Sequence, residues 1–124
     1  MRRKVWLCKV PEHQNRAIGI AAHRSFLSYV ATAVEIAIDG QGNLTIPNVW
    51  TVADVGQIVM PDRVRSQFEG AAVFGVSLAM MGEITAEADR VTQSNFHNFP
   101  VARLKEAPAK IDVTIVDSKA PTPA

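Results

Sequence analysis

Tyr29-Val30-Ala31-Thr32-Ala33-Val34-Glu35-Ile36-Ala37-Ile38, followed by Asp39-Gly40-Gln41-Gly42-Asn43 and then by the apolar residues 44–55, decides the fold. Val30, Thr32, Val34, Ile36 and Ile38 fall on one face of an extended chain, and Ala31, Ala33, Glu35 and Ala37 on the other. Alanine and glutamate equally suit a helix. β-Branched residues at every second position, stiff at χ1, favour a pleated sheet. The glycine-rich run tolerates positive φ, so residues 44–55 are predicted to pair back as a hairpin. Pro47 has no amide donor and must mark a bulge, an edge position or a break in that second strand. Upstream, residues 17–22 form a small-residue apolar run that reads as a further extended piece.

Downstream, Pro61-Asp62 opens a helix predicted over about residues 62–81, with proline suited to the first turn and aspartate to the positive end of the macrodipole. Val64, Phe68, Ala71, Ala72, Gly75, Leu78 and Ala79 recur at spacings of three and four. Gly70, Ala71, Ala72, Gly75 and Ser77 make this helix slim, which predicts a close approach by another element or by a ligand, helix-on-sheet packing being the simpler explanation. Residues 84–94 read as a short hairpin turning at Glu87-Ala88-Asp89. Residues 95–109 read as a polar, proline-marked crossing, and residues 111–116 alternate as a last strand. The resulting expectation is an α+β domain in which antiparallel strands, residues 17–55 and 110–117, carry the helix on one face.

The whole chain of 124 residues carries a net charge of +1 and one cysteine. That length buries roughly 65% of the unfolded surface, so a core needs neither disulfide nor structural metal. The balance conceals a local asymmetry: Arg2, Arg3, Lys4, Lys9, Arg16 and Arg24 against Glu12 give residues 1–24 about +5 and the remainder about −4. This basic start has only Trp6 and Phe26 among its cations and no nucleic-acid motif, so nucleic-acid binding is not expected. Val5-Trp6-Leu7-Cys8 is too short for the apolar part of an export signal, and no run approaches the ~18 residues of a membrane span. Residues 1–16 are read as an irregular basic segment, 17–118 as the domain portion and 119–124 as a disordered tail.

Candidate chemistry is sparse. His13, His23 and His97 lie far apart with no Cys pair or H-x₃-H spacing, so no metal ligands are assigned. Gly40 and Gly42 sit between two strands, where a turn explains them better than a phosphate loop. Cys8 has no recognisable histidine partner. Asp54, at a strand end before Gly56, is read as a turn former ahead of a functional acid. Gln67 is an uncharged amide among small neighbours, and either backbone or a polar heteroaromatic ligand would satisfy it.

Several motifs nevertheless converge. Gly19-Ile20-Ala21-Ala22-His23-Arg24-Ser25-Phe26-Leu27-Ser28-Tyr29, residues 52–62 from Val52-Ala53-Asp54 to Pro61-Asp62, Gln67-Phe68-Glu69-Gly70 with Gly75, Gly82-Glu83-Ile84-Thr85, and residues 91–103 around Asn95-Phe96-His97 resemble one family. It is the xanthine dehydrogenase family of molybdenum hydroxylases, in the molybdopterin-binding large subunit and nearest its isoquinoline 1-oxidoreductase branch. The resemblance covers roughly residues 12–120. It implies a molybdenum–pterin dinucleotide cofactor and an oxidoreductase that hydroxylates N-heteroaromatic compounds or aldehydes with water. It also implies electrons leaving through an iron–sulfur small subunit, and a cytoplasmic location, or a periplasmic one where the full enzyme is exported.

One residue is carried over from the family: Gln67, as a cofactor contact through its amide. The family's general base lies in a Gly-Glu-Pro-Gly motif downstream of the segment resembling Val116-Asp117-Ser118, and no such motif follows here. No catalytic residue is therefore assigned, and the expectation is a partial domain, inactive alone and unable to hold the cofactor without the remainder of the large subunit. Such a piece is expected to expose an apolar face. The alternative is a non-catalytic, stand-alone α+β interaction domain. Met60 stands where the family usually has asparagine before proline.

Overall fold

A computed structural model describes residues 15–118. The expectations for Cys8, His13, most of the basic segment 1–16 and the tail 119–124 lie outside the described residues. Three strands form a meander: β1 (Arg16–Ser25), β2 (Ser28–Ile38) and β3 (Leu44–Asp54). The β1–β2 connection is a two-residue turn, and β2–β3 turns through Asp39 to Asn43. There the Asp39 carboxylate accepts from the Gln41 and Asn43 amides at 2.8 Å each and from Asn43 Nδ2 at 2.8 Å. These bonds, the Asn43 side chain foremost, hold the Asp39 carboxyl below its ordinary value. Gly42 supplies the positive φ of 88° that closes the turn.

Of the three alternatives for Pro47, the bulge is the one formed. β2 and β3 pair antiparallel with Glu35 opposite Asn48 but Ala37 opposite Thr45, so Ile46 and Pro47 together oppose Ile36. The extra residue moves the alternation of β3 by one place. Leu44 and Ile46 before it and Val49 and Thr51 after it therefore line the same side of the sheet as Val34 and Ile36.

Helix α1 (Pro61–Met80) begins at the end where β3 finishes. A small hairpin follows, β4 (Ala86–Glu87) and β5 (Arg90–Val91), with Ala88 and Asp89 both at positive φ. The last strand, β6 (Lys110–Ile115), corrects the expectation of a wholly antiparallel sheet. The sheet order is β1-β2-β3-β6, and β6 runs parallel to β3, from Asn48 beside Lys110 to Ala53 beside Ile115. The reason is topological. α1 and residues 81–109 carry the chain back to the start of β3, where the Ala109 amide bonds the Ile46 carbonyl at 2.9 Å, and a crossover of this length is what parallel pairing requires.

α1 runs one residue earlier than predicted at each end. Pro61 opens it and Asp62 lies in its first turn, but Met60 at the N-cap makes no side-chain bond to the free amides. Asparagine at a cap accepts such a bond, so Met60→Asn is expected to stabilise the domain by about 1 kcal/mol. Thermal denaturation of the two chains checks this, and an unchanged midpoint would refute it. At the other end the amides of Met81 and Gly82 both bond the Ser77 carbonyl, and a Cβ at residue 82 would stand 3.2 Å from the Leu78 carbonyl oxygen.

The core of the described residues is thin. Ile46, Val49 and Val76 form its centre, with Val49 only 2% exposed, and Val34, Ile36, Ala72, Ala102 and Ile111 pack against it. Ser77 ties the crossing segment to the helix by accepting the Ala102 amide at 2.9 Å. Leu78, read from its spacing as part of the buried stripe, is instead exposed, and Val76 takes the buried place. The helix leans toward β3 and β6, leaving Ala17, Gly19, Ala21 and His23 of β1 exposed.

Candidate functional site

The lean of α1 opens an apolar cleft of about 610 Å³ between helix and sheet, with Val34, Ile36 and Val49 on one wall and Phe68, Ala72 and Gly75 on the other. Its polar side chains are Thr32 and Thr51, directly paired across β2 and β3, whose hydroxyls satisfy each other at 3.1 Å. The cleft offers apolar surface and no group suited to proton transfer.

Gln67 lies outside this cleft. On a helix of 3.6 residues per turn it shares a flank with Phe74 and Leu78, turned away from the cleft-lining row of Phe68, Ala71, Ala72 and Gly75. Its amide is exposed and bonded to nothing among the described residues. Phe74 and Leu78 on the same flank are 62% and 56% exposed. Gly70 and Gly75 reveal the same emptiness, since a Cβ at either would meet nothing within 4 Å. The expectation that the slim helix packs closely on the sheet is therefore not met at these two glycines. Whatever needs the missing side chains is not among the described residues.

The other candidates separate in space. His23 is exposed on β1 and His97 exposed in the loop after β5, and no three His, Cys, Asp or Glu side chains converge among the described residues. Asp54 acts as a turn former, its Oδ1 accepting the Gly56 amide at 3.2 Å while Gly56 takes a φ of 71°. It also borders a shallow cleft with Arg24 and Tyr29, the guanidinium lying 5.4 Å from the centre of the Tyr29 ring. The Gln93 to Asn98 motif folds on itself: Asn98 accepts the Ser94 and Asn95 amides and donates to the Thr92 carbonyl, leaving Phe96 and His97 on the surface.

One polar cluster was not singled out from the sequence. On the sheet face opposite the helix, Glu35 is 2% exposed and accepts Arg16 Nη1 at 2.7 Å and Asn48 Nδ2 at 2.6 Å. The Asn48 amide, then the Arg16 guanidinium, holds its carboxyl below the ordinary value against the opposing effect of burial. The available signal was a lone carboxylate in the middle of a strand otherwise built from alanine, serine, threonine, tyrosine and β-branched aliphatic residues.

The chain belongs to the molybdopterin cofactor-binding domain family, whose model matches residues 8–108. Among individual proteins, it is 32% identical over 103 residues to isoquinoline 1-oxidoreductase subunit beta of Brevundimonas diminuta, a match covering 82% of this chain and 13% of that one. The fold recurs in quinoline 2-oxidoreductase from Pseudomonas putida 86, with a TM-score of 0.68 at 14% identity over 76% of this chain and 12% of the other. It recurs also in CO dehydrogenase from Oligotropha carboxidovorans, with a TM-score of 0.63 at 21% identity over 72% and 11%. The chain thus spans 13% of the length of the isoquinoline relative. Among the described residues no helix is long and apolar enough to cross a membrane.

Proposed function

We propose that residues 17–118 form one wall of the molybdopterin site in a molybdenum hydroxylase that oxidises N-heteroaromatic compounds or aldehydes with water. In this reading the remainder of a large subunit completes the site and an iron–sulfur subunit removes the electrons. The chain is inactive alone and does not hold the cofactor alone. The observation that carries the proposal is the bare flank of α1, where an exposed primary amide stands one turn before Gly70, which no other element among the described residues approaches.

A pterin presents donors and acceptors along one edge, and the Gln67 amide supplies one of each, so the residue fits a contact at that edge. The bound cofactor would supply the redox centre. The chain's own contribution is positional. Gln67 orients the pterin edge from a rigid helix, while Gly70, one turn on, leaves room for bulk against the backbone. Glu69, exposed one turn from Arg65, has no assigned part.

The test is co-expression of the full chain with the portion of a related large subunit that it lacks, followed by elemental analysis of the purified complex. Molybdenum is expected in the wild-type complex and about tenfold less with Gln67→Ala, in line with the loss of a contact supporting a metal centre. Equal molybdenum in the two would overturn the role of Gln67. Molybdenum retained by the chain alone would overturn its dependence on the remainder.

A further inference from the structure

At the β1–β2 turn the two central residues, Phe26 and Leu27, have φ of 46° and 66°. A two-residue turn of this kind matches the twist of a hairpin, but both positions are suited to Asn-Gly, and a bulky side chain there is disfavoured. The strain has no return among the described residues, where Phe26 is 93% exposed and Leu27 also lies on the surface. Two separate disadvantages, backbone strain and apolar exposure, thus coincide on the same two residues.

Their surroundings point the same way. Tyr29 pairs with Asp54, so the turn lies at the end of the sheet where β3 stops and the segment leading to α1 begins. That segment carries two further exposed apolar residues, Val59, 89% exposed, and Met60. An exposed apolar tip with a strained backbone is arranged to be covered.

We infer that the Phe26-Leu27 tip is a docking finger that inserts into an apolar pocket of the polypeptide completing the large subunit. The inference rests on the proposed function. The isoquinoline relative places a match to this chain within a protein of which it makes up 13%, so a great deal of further polypeptide is available to supply the pocket. Phe26 is the anchor, a rigid aromatic with two side-chain torsions, and Leu27 forms the adjoining apolar contact.

The experiment measures binding of the full chain to the Brevundimonas diminuta subunit lacking its matched segment, and in parallel the thermal midpoint of the chain alone. The double substitution Phe26→Asn, Leu27→Gly relaxes the turn and removes the finger. It is expected to raise the chain's midpoint while weakening binding at least about tenfold. Phe26→Ala, which leaves the turn backbone under the same constraint, is expected to weaken binding similarly without the gain in midpoint. Unchanged binding by both variants would overturn the finger and leave the large-subunit reading intact, whereas no binding by the wild-type chain would overturn both. A lowered midpoint in the double variant would overturn the inference too, since the tip would then serve the chain's own fold.

Discussion

Glu35→Ala is expected to lower the stability of the domain by about 2–3 kcal/mol at neutral pH, a large share of what a thin core provides. The carboxylate joins β1 to β3 across β2, through Arg16 on one side and Asn48 on the other. Removing it leaves the half-buried Asn48 amide without its acceptor. The Arg16 side chain is 38% exposed, so water compensates much of its loss and the larger part of the cost falls on the Asn48 side.

The same substitution changes the response to acid. Because the folded-state value of Glu35 is depressed, the unfolded chain binds the proton first as pH falls. The stabilisation is therefore complete above the ordinary carboxylate value and is lost as pH drops through the lowered folded value. Urea denaturation of wild type, Glu35→Ala and Glu35→Gln at about pH 7 and about pH 4 checks both points. The wild-type advantage is expected to shrink at the lower pH, with Glu35→Gln imitating the protonated state throughout. Asp39 and Glu106 are depressed as well, so some acid sensitivity persists in the variants. A constant gap between wild type and Glu35→Ala would contradict the assignment.

Substituting alanine at Gly70 and Gly75 together is expected to act in opposite directions on the isolated chain and on the assembled enzyme. Interior helical glycine costs roughly 0.5–1 kcal/mol relative to alanine, and neither new Cβ meets an atom within 4 Å, so the chain alone gains about 1–2 kcal/mol. In the complex Gly70 adjoins the flank proposed to receive the cofactor, and Gly75 lines the cleft between helix and sheet, open to a supporting chain. Molybdenum content is expected to fall several-fold. Chemical denaturation of the chain and elemental analysis of the complex read the two effects separately. A gain in stability with full molybdenum content would mean that the glycines are unused.

The elements were legible wherever chemistry is local. Val30 to Ile38 alternates because each side chain answers to its own face, and Asp39 to Asn43 turns because its carboxylate and Gly42 close it without outside help. Pro61 opens the helix for an equally local reason. The direction of β6 was not legible, because alternation in residues 111–116 is the same for either direction and only the route of residues 81–109 decides. The lean of α1, which exposes Leu78 and opens the cleft, likewise depends on how Ser77 and Ala102 meet, a contact between segments far apart in the chain. Gln67 could be singled out by motif, but its outward flank follows from that lean. Glu35 was visible as an oddity in its strand, yet its partners lie on two other strands and only the register brings them to it.

The parallel edge also sets an order of assembly. The meander closes through two short turns, each bringing near neighbours together at small entropic cost, whereas pairing Asn48 with Lys110 requires all of α1 and the crossing segment to be gathered first. Until then the amides and carbonyls along the far side of β3 remain open to any other strand that arrives. A ribosome releasing this chain exposes that edge from the emergence of Asp54 until Ile115 follows it out, an interval in which a competing strand, rather than heat or acid, is the threat to the fold.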